Sequence, residues 1–381
     1  MLSSAEIIAV ARADNRYRSS ADGSWRVGLD RLVDAFNQEA ALNPFGERHI
    51  AAVLADKLAT RFAIDDWHVQ HPEIADQKIE RPVFGLGLPR TGSTALGVVL
   101  GQDRERRVLR TWEARQPCSP PEAATQYTDP RIASSQAELD TLVAADPSLA
   151  AMIPMSADAA TECLILTSLD FRSKEFAAFG RIDSYNAWLL ECDMEPTYRF
   201  HKRVLQLLQW RCPPNRWFLR TPAHSPFLPA LDAVYPDARF VMTHRDVSKV
   251  IPSNMTFVLA LTHAFTDEQD LRDLARHMVD FWEQALQRLV AFRDDGNDHR
   301  FFDIDFVDFQ NDPLREIERL YDWLGEPLTD EARQRMGAWW AAQATERQSA
   351  AKIDFAELGI PIEELRERFA FYNDRYARSA H

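Results

Sequence analysis

Apolar residues recur with a helical period through the first part of the chain. Leu29, Leu32, Val33 and Phe36 fall at i, i+3, i+4 and i+7, and residues 49–62 repeat the pattern. Residues 5–67 are therefore expected to be helices with one buried stripe. Residues 68–81 are polar, include Pro72 and run into Pro82, the composition of a connector. The period then changes. Residues 82–89, PVFGLGLP, make a short apolar run closed by proline, which predicts a buried strand, and residues 94–100 resume a helical pattern. Residues 217–219, 239–243 and the more mixed 300–306 read as further strands, while 198–211, 227–235, 271–293 and 313–324 carry helical spacing. Residues 112–147, proline-rich and polar, read as an ordered loop.

Short apolar strands alternating with helices predict an α/β fold, a parallel sheet flanked by helices, with helical N-terminal and C-terminal additions. The expected boundaries are a helical N-terminal extension over 1–81, a core over 82–325, and a helical C-terminal segment over 326–381 packed on that core.

Composition narrows the function. The 381 residues are 46% hydrophobic, ample for a packed core, and carry a formal net charge of −14. That charge argues against a nucleic-acid binder, which would show a basic face, and against polyanionic acceptors, which the whole-molecule field would repel. Any anionic ligand must be held by a few placed Arg and Lys side chains. Cys118, Cys163, Cys192 and Cys212 lie far apart with no C-x-x-C pair and no histidine cluster beside them in sequence. They read as reduced thiols, and no metal is expected. With no run of 18 apolar residues and no apolar leader, the chain is expected to lack a membrane span and to be cytoplasmic.

Gly87-Leu88-Pro89-Arg90-Thr91-Gly92-Ser93-Thr94 lies between a predicted strand and a predicted helix, where backbone N–H groups and a helix N-terminus converge on an anion. The sheet is thus expected to be P-loop-like. A nucleotide triphosphatase needs lysine where Ser93 stands; here the basic residue is Arg90, three positions earlier. An ordinary strand–helix turn with Thr91 or Ser93 as cap would need neither Arg90 nor the paired hydroxyls Ser93 and Thr94. A second anion site is suggested by Arg245, just after the strand 239–243, with Ser253 eight residues on. An arginine can hold phosphate through two parallel charge-assisted bonds and a hydroxyl adds a donor, although Arg245 could instead pair with Asp246.

Pro89-Arg90-Thr91-Gly92-Ser93-Thr94 resembles the phosphosulfate loop of the sulfotransferase superfamily, P-[KR]-[ST]-G-[ST]-T, and Arg245 with Ser253 resembles its 3′-phosphate site. The likeness covers roughly 82–325. It implies that 3′-phosphoadenosine 5′-phosphosulfate (PAPS) is the cosubstrate, that a hydroxyl of a small molecule is the acceptor, and that no metal is required. On this resemblance the loop residues Arg90, Thr91, Gly92, Ser93 and Thr94 hold the 5′-phosphosulfate. The adenine-stacking tryptophan of the family is replaced by Ala95, and Lys352 only faintly echoes its C-terminal basic segment as a further phosphate contact.

An acceptor alcohol must lose a proton, so a general base is expected. Two candidates stand open. His224, in Arg220-Thr221-Pro222-Ala223-His224, resembles the catalytic histidine of the family with two residues intervening. Glu113, in Thr111-Trp112-Glu113, lies where several sulfotransferases place a catalytic glutamate. Arg220 matches a family lysine and is expected to stabilise the bridging oxygen or the sulfuryl group, and His201 reads as a packed histidine. Trp112, Phe171, Phe176, Phe179, Tyr185, Trp188 and Phe257 are candidates for an apolar acceptor cleft, with simple core as the other reading. A phenol, a steroid-like alcohol and a lipid all remain open as acceptor, and a homodimer is compatible with the sequence. Two rivals remain. One is a P-loop nucleotide kinase or NTPase using Asp303 or Asp305 for metal; the other is a non-catalytic nucleotide-binding protein on the same fold.

Overall fold

The computed structural model describes residues 1–13, 23–145, 156–212, 216–343 and 355–377. The N-terminal part is helical: α1 (Ser4–Arg12), α2 (Trp25–Glu39) and α3 (Pro44–Gln70). Leu29, Leu32, Val33 and Phe36 are all buried, so the stripe read from the sequence is the packed face of α2. Helix α3 runs three residues past the predicted end at Trp67, and a short 3-10 turn, Pro72–Asp76, completes the connector.

Next come β1 (Val83–Gly87), α4 (Ser93–Leu100), β2 (Arg106–Val108), α5 (Thr111–Arg115) and α6 (Pro130–Ala145). They are followed by α7 (Leu164–Thr167), α8 (Asp183–Glu191), α9 (Glu195–Gln209), β3 (Arg216–Arg220) and α10 (Leu228–Val234). The remainder is β4 (Arg239–His244), α11 (Val247–Thr262), α12 (Leu271–Phe292), β5 (Phe301–Asp305), α13 (Phe306–Asn311), α14 (Pro313–Leu324), α15 (Asp330–Gln343), α16 (Ile362–Arg368) and α17 (Ala370–Tyr376).

The five strands form one parallel sheet in the order β2-β3-β1-β4-β5. Central β1 is buried along its whole length, as a strand covered on both faces must be. It pairs with β3 on one side and β4 on the other, so the chain leaves β1 where the strand order reverses. In open parallel sheets that switch point is where a crevice opens beyond the carboxyl ends of the strands.

One hydrophobic cluster reaches from Leu2 and Ile7 of the N-terminal part, through Phe84 and Met242 of the sheet, to Leu365, Phe369 and Tyr372 of the C-terminal helices. A second lies on the opposite face, under α4, α14 and α15.

Residues 112–147 correct the sequence reading, because they hold a 16-residue helix, α6. Asp129 accepts from the Arg131 N–H at 2.9 Å and Pro130 occupies the first helical position, where its missing N–H does no harm. Edge strand β2 escaped notice because Arg106 and Arg107 interrupt its apolar pattern. Both are buried against Glu326 and Glu113.

Candidate active site

Three arginines arrive at one crevice from the carboxyl ends of three adjacent strands: Arg90 after β1, Arg220 at the end of β3, and Arg245 after β4. The β1–α4 turn is shaped for it. Arg90 takes a left-handed conformation with φ 64°, and Gly92, at φ 91°, precedes α4 with no side-chain cap on the helix. A non-glycine residue in that region costs about 1–3 kcal/mol and persists only where its surroundings dictate it. The first-turn N–H groups of α4 point into the crevice mouth with the positive end of the helix dipole behind them. Ser93 is buried at the first position of α4 and Thr94 is half-buried beside it. The Thr91 hydroxyl is engaged elsewhere. It bonds Leu88 O at 2.8 Å and Thr243 Oγ1 at 2.6 Å, bracing the turn against β4, so this residue can offer a ligand its backbone rather than its side chain.

The two anion sites expected separately are joined. Arg90 Nε donates to Ser253 Oγ at 3.3 Å, and an Arg245 terminal nitrogen donates to the Arg90 carbonyl at 2.9 Å. Burial lowers the pKa of both guanidinium groups; for Arg245 the Arg90 charge lowers it further, against the pull of Asp246. Arg245 has no carboxylate within ion-pair distance among the described residues; its other neighbour is the Phe306 ring, 4.3 Å away. Two like charges held together at a strand end describe a receptor for a polyanion. Lys352 lies outside the described residues.

On the other side of the turn, Arg220 forms a relay. One of its terminal nitrogens donates to Thr94 Oγ1 at 3.1 Å and to Glu162 Oε1 at 2.9 Å, while Glu162 Oε2 accepts from the Thr221 hydroxyl at 3.0 Å. Arg220 reaches Thr94 across Gly97. A β-carbon there would stand 2.7 Å from Arg220 Cδ, so only glycine leaves the path open. Glu162 has no motif to announce it. It sits in an irregular segment placed by a bridge between Ala160 and Arg110 and by Cys163 N–H bonding to Arg220 O at 2.8 Å.

The predicted bases are elsewhere. His224, 1% exposed, turns into the core; its Nδ1 meets the Tyr198 hydroxyl at 2.9 Å and its ring abuts Phe84. Burial, and after it the His201 ring, push its pKa well below the usual value. Glu113 is 0% exposed, ion-paired to Arg107 at 2.8 Å and accepting from the Arg110 N–H at 3.3 Å. Neither reaches the crevice in this conformation, whereas the Glu162 side chain is 27% exposed to it. His201 is packed as expected, against Tyr235 O–H at 2.8 Å. The cysteines and histidines that look remote in sequence are not all remote in space. Cys163, His201 and His224 bring potential ligand atoms within 4.8 Å of one another inside the core.

Beside Arg220 opens a cavity of about 450 Å³, within the range of small-molecule sites. Thr94, Glu162, Arg220 and Thr221 form part of its wall, and Ile165, Phe257, Leu261, Met278 and Phe281 give it an apolar body. Of the seven aromatic residues expected in a cleft only Phe257 lines it. Trp112, Phe171, Phe176 and Tyr185 are buried core, and Phe179 and Trp188 pack partly buried against that core. Among the described residues no helix is long and apolar enough to cross a membrane.

A sequence profile of the sulfotransferase family matches residues 82–330. Two solved structures are similar over the whole length. The sulfotransferase STF9 from Mycobacterium avium is 30% identical with a TM-score of 0.92, the match covering 100% of this chain and 98% of that one. The sulfotransferase STF1 from Mycobacterium tuberculosis H37Rv is 30% identical with a TM-score of 0.86, covering 97% of this chain and 99% of the other. A search of curated proteins returns no match.

Proposed function

Because the chain belongs to the sulfotransferase family, we propose that it moves the sulfuryl group of PAPS to a hydroxyl of a small, largely apolar molecule bound in the cavity beside Arg220, with Glu162 as general base. The observation that carries this reading is the Thr94–Arg220–Glu162 relay, which ties the anion-binding turn to the cavity wall. The family implies a sulfuryl donor, and the cationic residues present fit PAPS in particular. Arg245 and Ser253 would take its 3′-phosphate. Arg90, Ser93, Thr94 and the α4 N–H groups would take the 5′-phosphosulfate. Four unpaired cysteines fit a reducing compartment such as the cytoplasm.

In the transfer, the acceptor oxygen attacks sulfur as its proton passes to Glu162, and the bond from sulfur to the bridging phosphate oxygen breaks, its electron pair staying on that oxygen. Such loose transition states are served mainly by positioning and by charge placed where charge develops. Arg220, bonded to both the loop hydroxyl and the base, supplies that charge on the sulfuryl side.

Two observations weigh against the kinase reading. Asp305 caps α13 through the Val307 and Asp308 N–H groups, and Asp303 is held by Arg293 and His244, so neither is a free metal ligand. A carboxylate in the cavity wall beside the relay favours catalysis over mere binding.

The test is Glu162→Gln, which keeps shape and removes basicity. Turnover of an aliphatic alcohol should fall by about 10² to 10⁴, with little change in affinity for the bisphosphate product. Near-wild-type turnover in this variant rules Glu162 out as the base.

A further inference from the structure

Every charged side chain in the cavity wall has an oppositely charged partner within the described residues, except one. Glu162 is paired with Arg220, Arg115 with Glu138, and Asp280 with Arg368. Lys174 has no carboxylate within ion-pair distance among the described residues. Two carboxylates of the same wall are engaged elsewhere: Glu175 is bound by Lys57 at 3.0 Å, and Asp183 is bound by Arg181 and lies 3.3 Å from His277 Nδ1. The Lys174 ammonium instead lies 4.4 Å from the centre of the Phe281 ring, in the apolar part of the wall. It sits deep but remains open to the cavity. A solvated cation would snorkel to water, and a structural one would find a carboxylate. Lys174 has no carboxylate partner among the described residues and lies against an aromatic ring of the cavity wall.

Resting on the reading of this cavity as the acceptor site, we infer that Lys174 is an anion-binding residue for the acceptor, so that the acceptor carries an acidic group, such as a carboxylate, as well as the hydroxyl that is sulfated. The two polar ends are joined by an apolar body, because Ile165, Leu261 and Met278 line the same cavity as Lys174 and Glu162. No hydrogen bond or ion pair links Lys174 to the relay, so it sets binding rather than proton transfer. The overall charge of −14 makes the point sharper, since an acidic acceptor needs a local cation to overcome the field.

The ammonium also gives the site a pH signature. Burial lowers its pKa to about 8, against the pull of Asp183. As pH rises through about 8 the charge is lost, so KM for an acidic acceptor should rise there. Asp183, Glu175, Asp280 and His277 share the same wall, and a neutral acceptor of the same shape controls for their titration.

The experiment uses ω-hydroxy alkanoic acids of graded chain length, each beside its methyl ester, with the full-length enzyme and PAPS. The acid should be preferred. Lys174→Met should raise KM for the acid by about ten- to a hundredfold, leaving the ester unchanged, since a charge-assisted bond is worth roughly 1.5–3 kcal/mol. Lys174→Arg should restore the acid and abolish the rise in KM above pH 8. Equal use of acid and ester by the wild type overturns the inference while leaving the sulfotransfer reading intact, as does a Lys174→Met variant that loses both alike. Failure of the wild type to sulfate, or in calorimetry to bind, either series overturns the assignment of the cavity, and the Lys174 inference with it.

Discussion

At the scale of single residues, Arg245 has no carboxylate within ion-pair distance among the described residues. Burial and the nearby Arg90 both disfavour its cationic form, and the opposite charge of a bound phosphate would offset both. Arg245→Ala should therefore weaken binding of the 3′,5′-bisphosphate product by about 1.5–3 kcal/mol, and of AMP hardly at all. Calorimetry with the two nucleotides checks this, and equal losses would remove Arg245 from the 3′-site. The gathering of Arg90, Thr94, Arg245 and Ser253 at one end of the sheet was legible in the sequence because they sit at fixed offsets from strand ends. Glu162 was not, because its place is set by a bridge to Arg110 and a bond to Arg220, contacts between segments remote in sequence. His224 and Glu113, offered as bases by the family resemblance, lie away from the crevice for the same kind of reason: packing turns one into the core and ion pairing encloses the other.

At the scale of elements, α4 does two jobs: its N-terminus faces the crevice and its body lets Arg220 pass. Gly97 serves the second. Alanine there would gain about 1 kcal/mol of helix propensity, yet its β-carbon would collide with Arg220 Cδ and Nε at 2.7 and 2.8 Å. The expected outcome of Gly97→Ala is a fall in kcat with thermal stability and nucleotide affinity little changed. A variant with wild-type kcat would mean that the position of Arg220 is unimportant. The long helices and the central strands were readable because their periods are regular. Helix α6 and strand β2 were not, since proline at a first helical position and buried, paired arginines in a strand both look like loop when only the pattern is seen.

At the scale of the molecule, one carboxylate ties a C-terminal helix to the sheet in addition to the apolar packing. Asp303 on β5 accepts from Arg293 at 2.8 Å and meets His244 Nε2 at 2.7 Å, and the other His244 nitrogen meets the Tyr372 hydroxyl of α17 at 2.8 Å. Burial alone would raise the Asp303 pKa, but the hydrogen bonds from Arg293 and His244 outweigh it and hold the carboxyl well below its usual range. A depressed pKa stabilises the fold above the unfolded value, near 3.9, and that contribution is lost as pH falls through the folded value. The gap in unfolding midpoint between wild type and Asp303→Asn should thus be the same at neutral pH and at about pH 5, and narrow only below about pH 4. A gap that changes between those two pH values would assign the coupling to another group.

The paired guanidiniums of Arg90 and Arg245 also bear on the timing of a catalytic cycle. The 3′-phosphate that Arg245 would grip is the same before and after the sulfuryl group moves, so that grip favours substrate and product alike, whereas the 5′-phosphate assigned to Arg90 gains charge as the bond to sulfur breaks. A phosphate bound at Arg245 would offset the burial and the Arg90 charge that act on it, and its departure would restore both. Under the proposed PAPS chemistry, departure of the spent nucleotide is expected to be slower than the transfer itself. Rapid mixing should then show a burst of sulfated product before a slower steady rate, and a linear time course from the first turnover would rule this out.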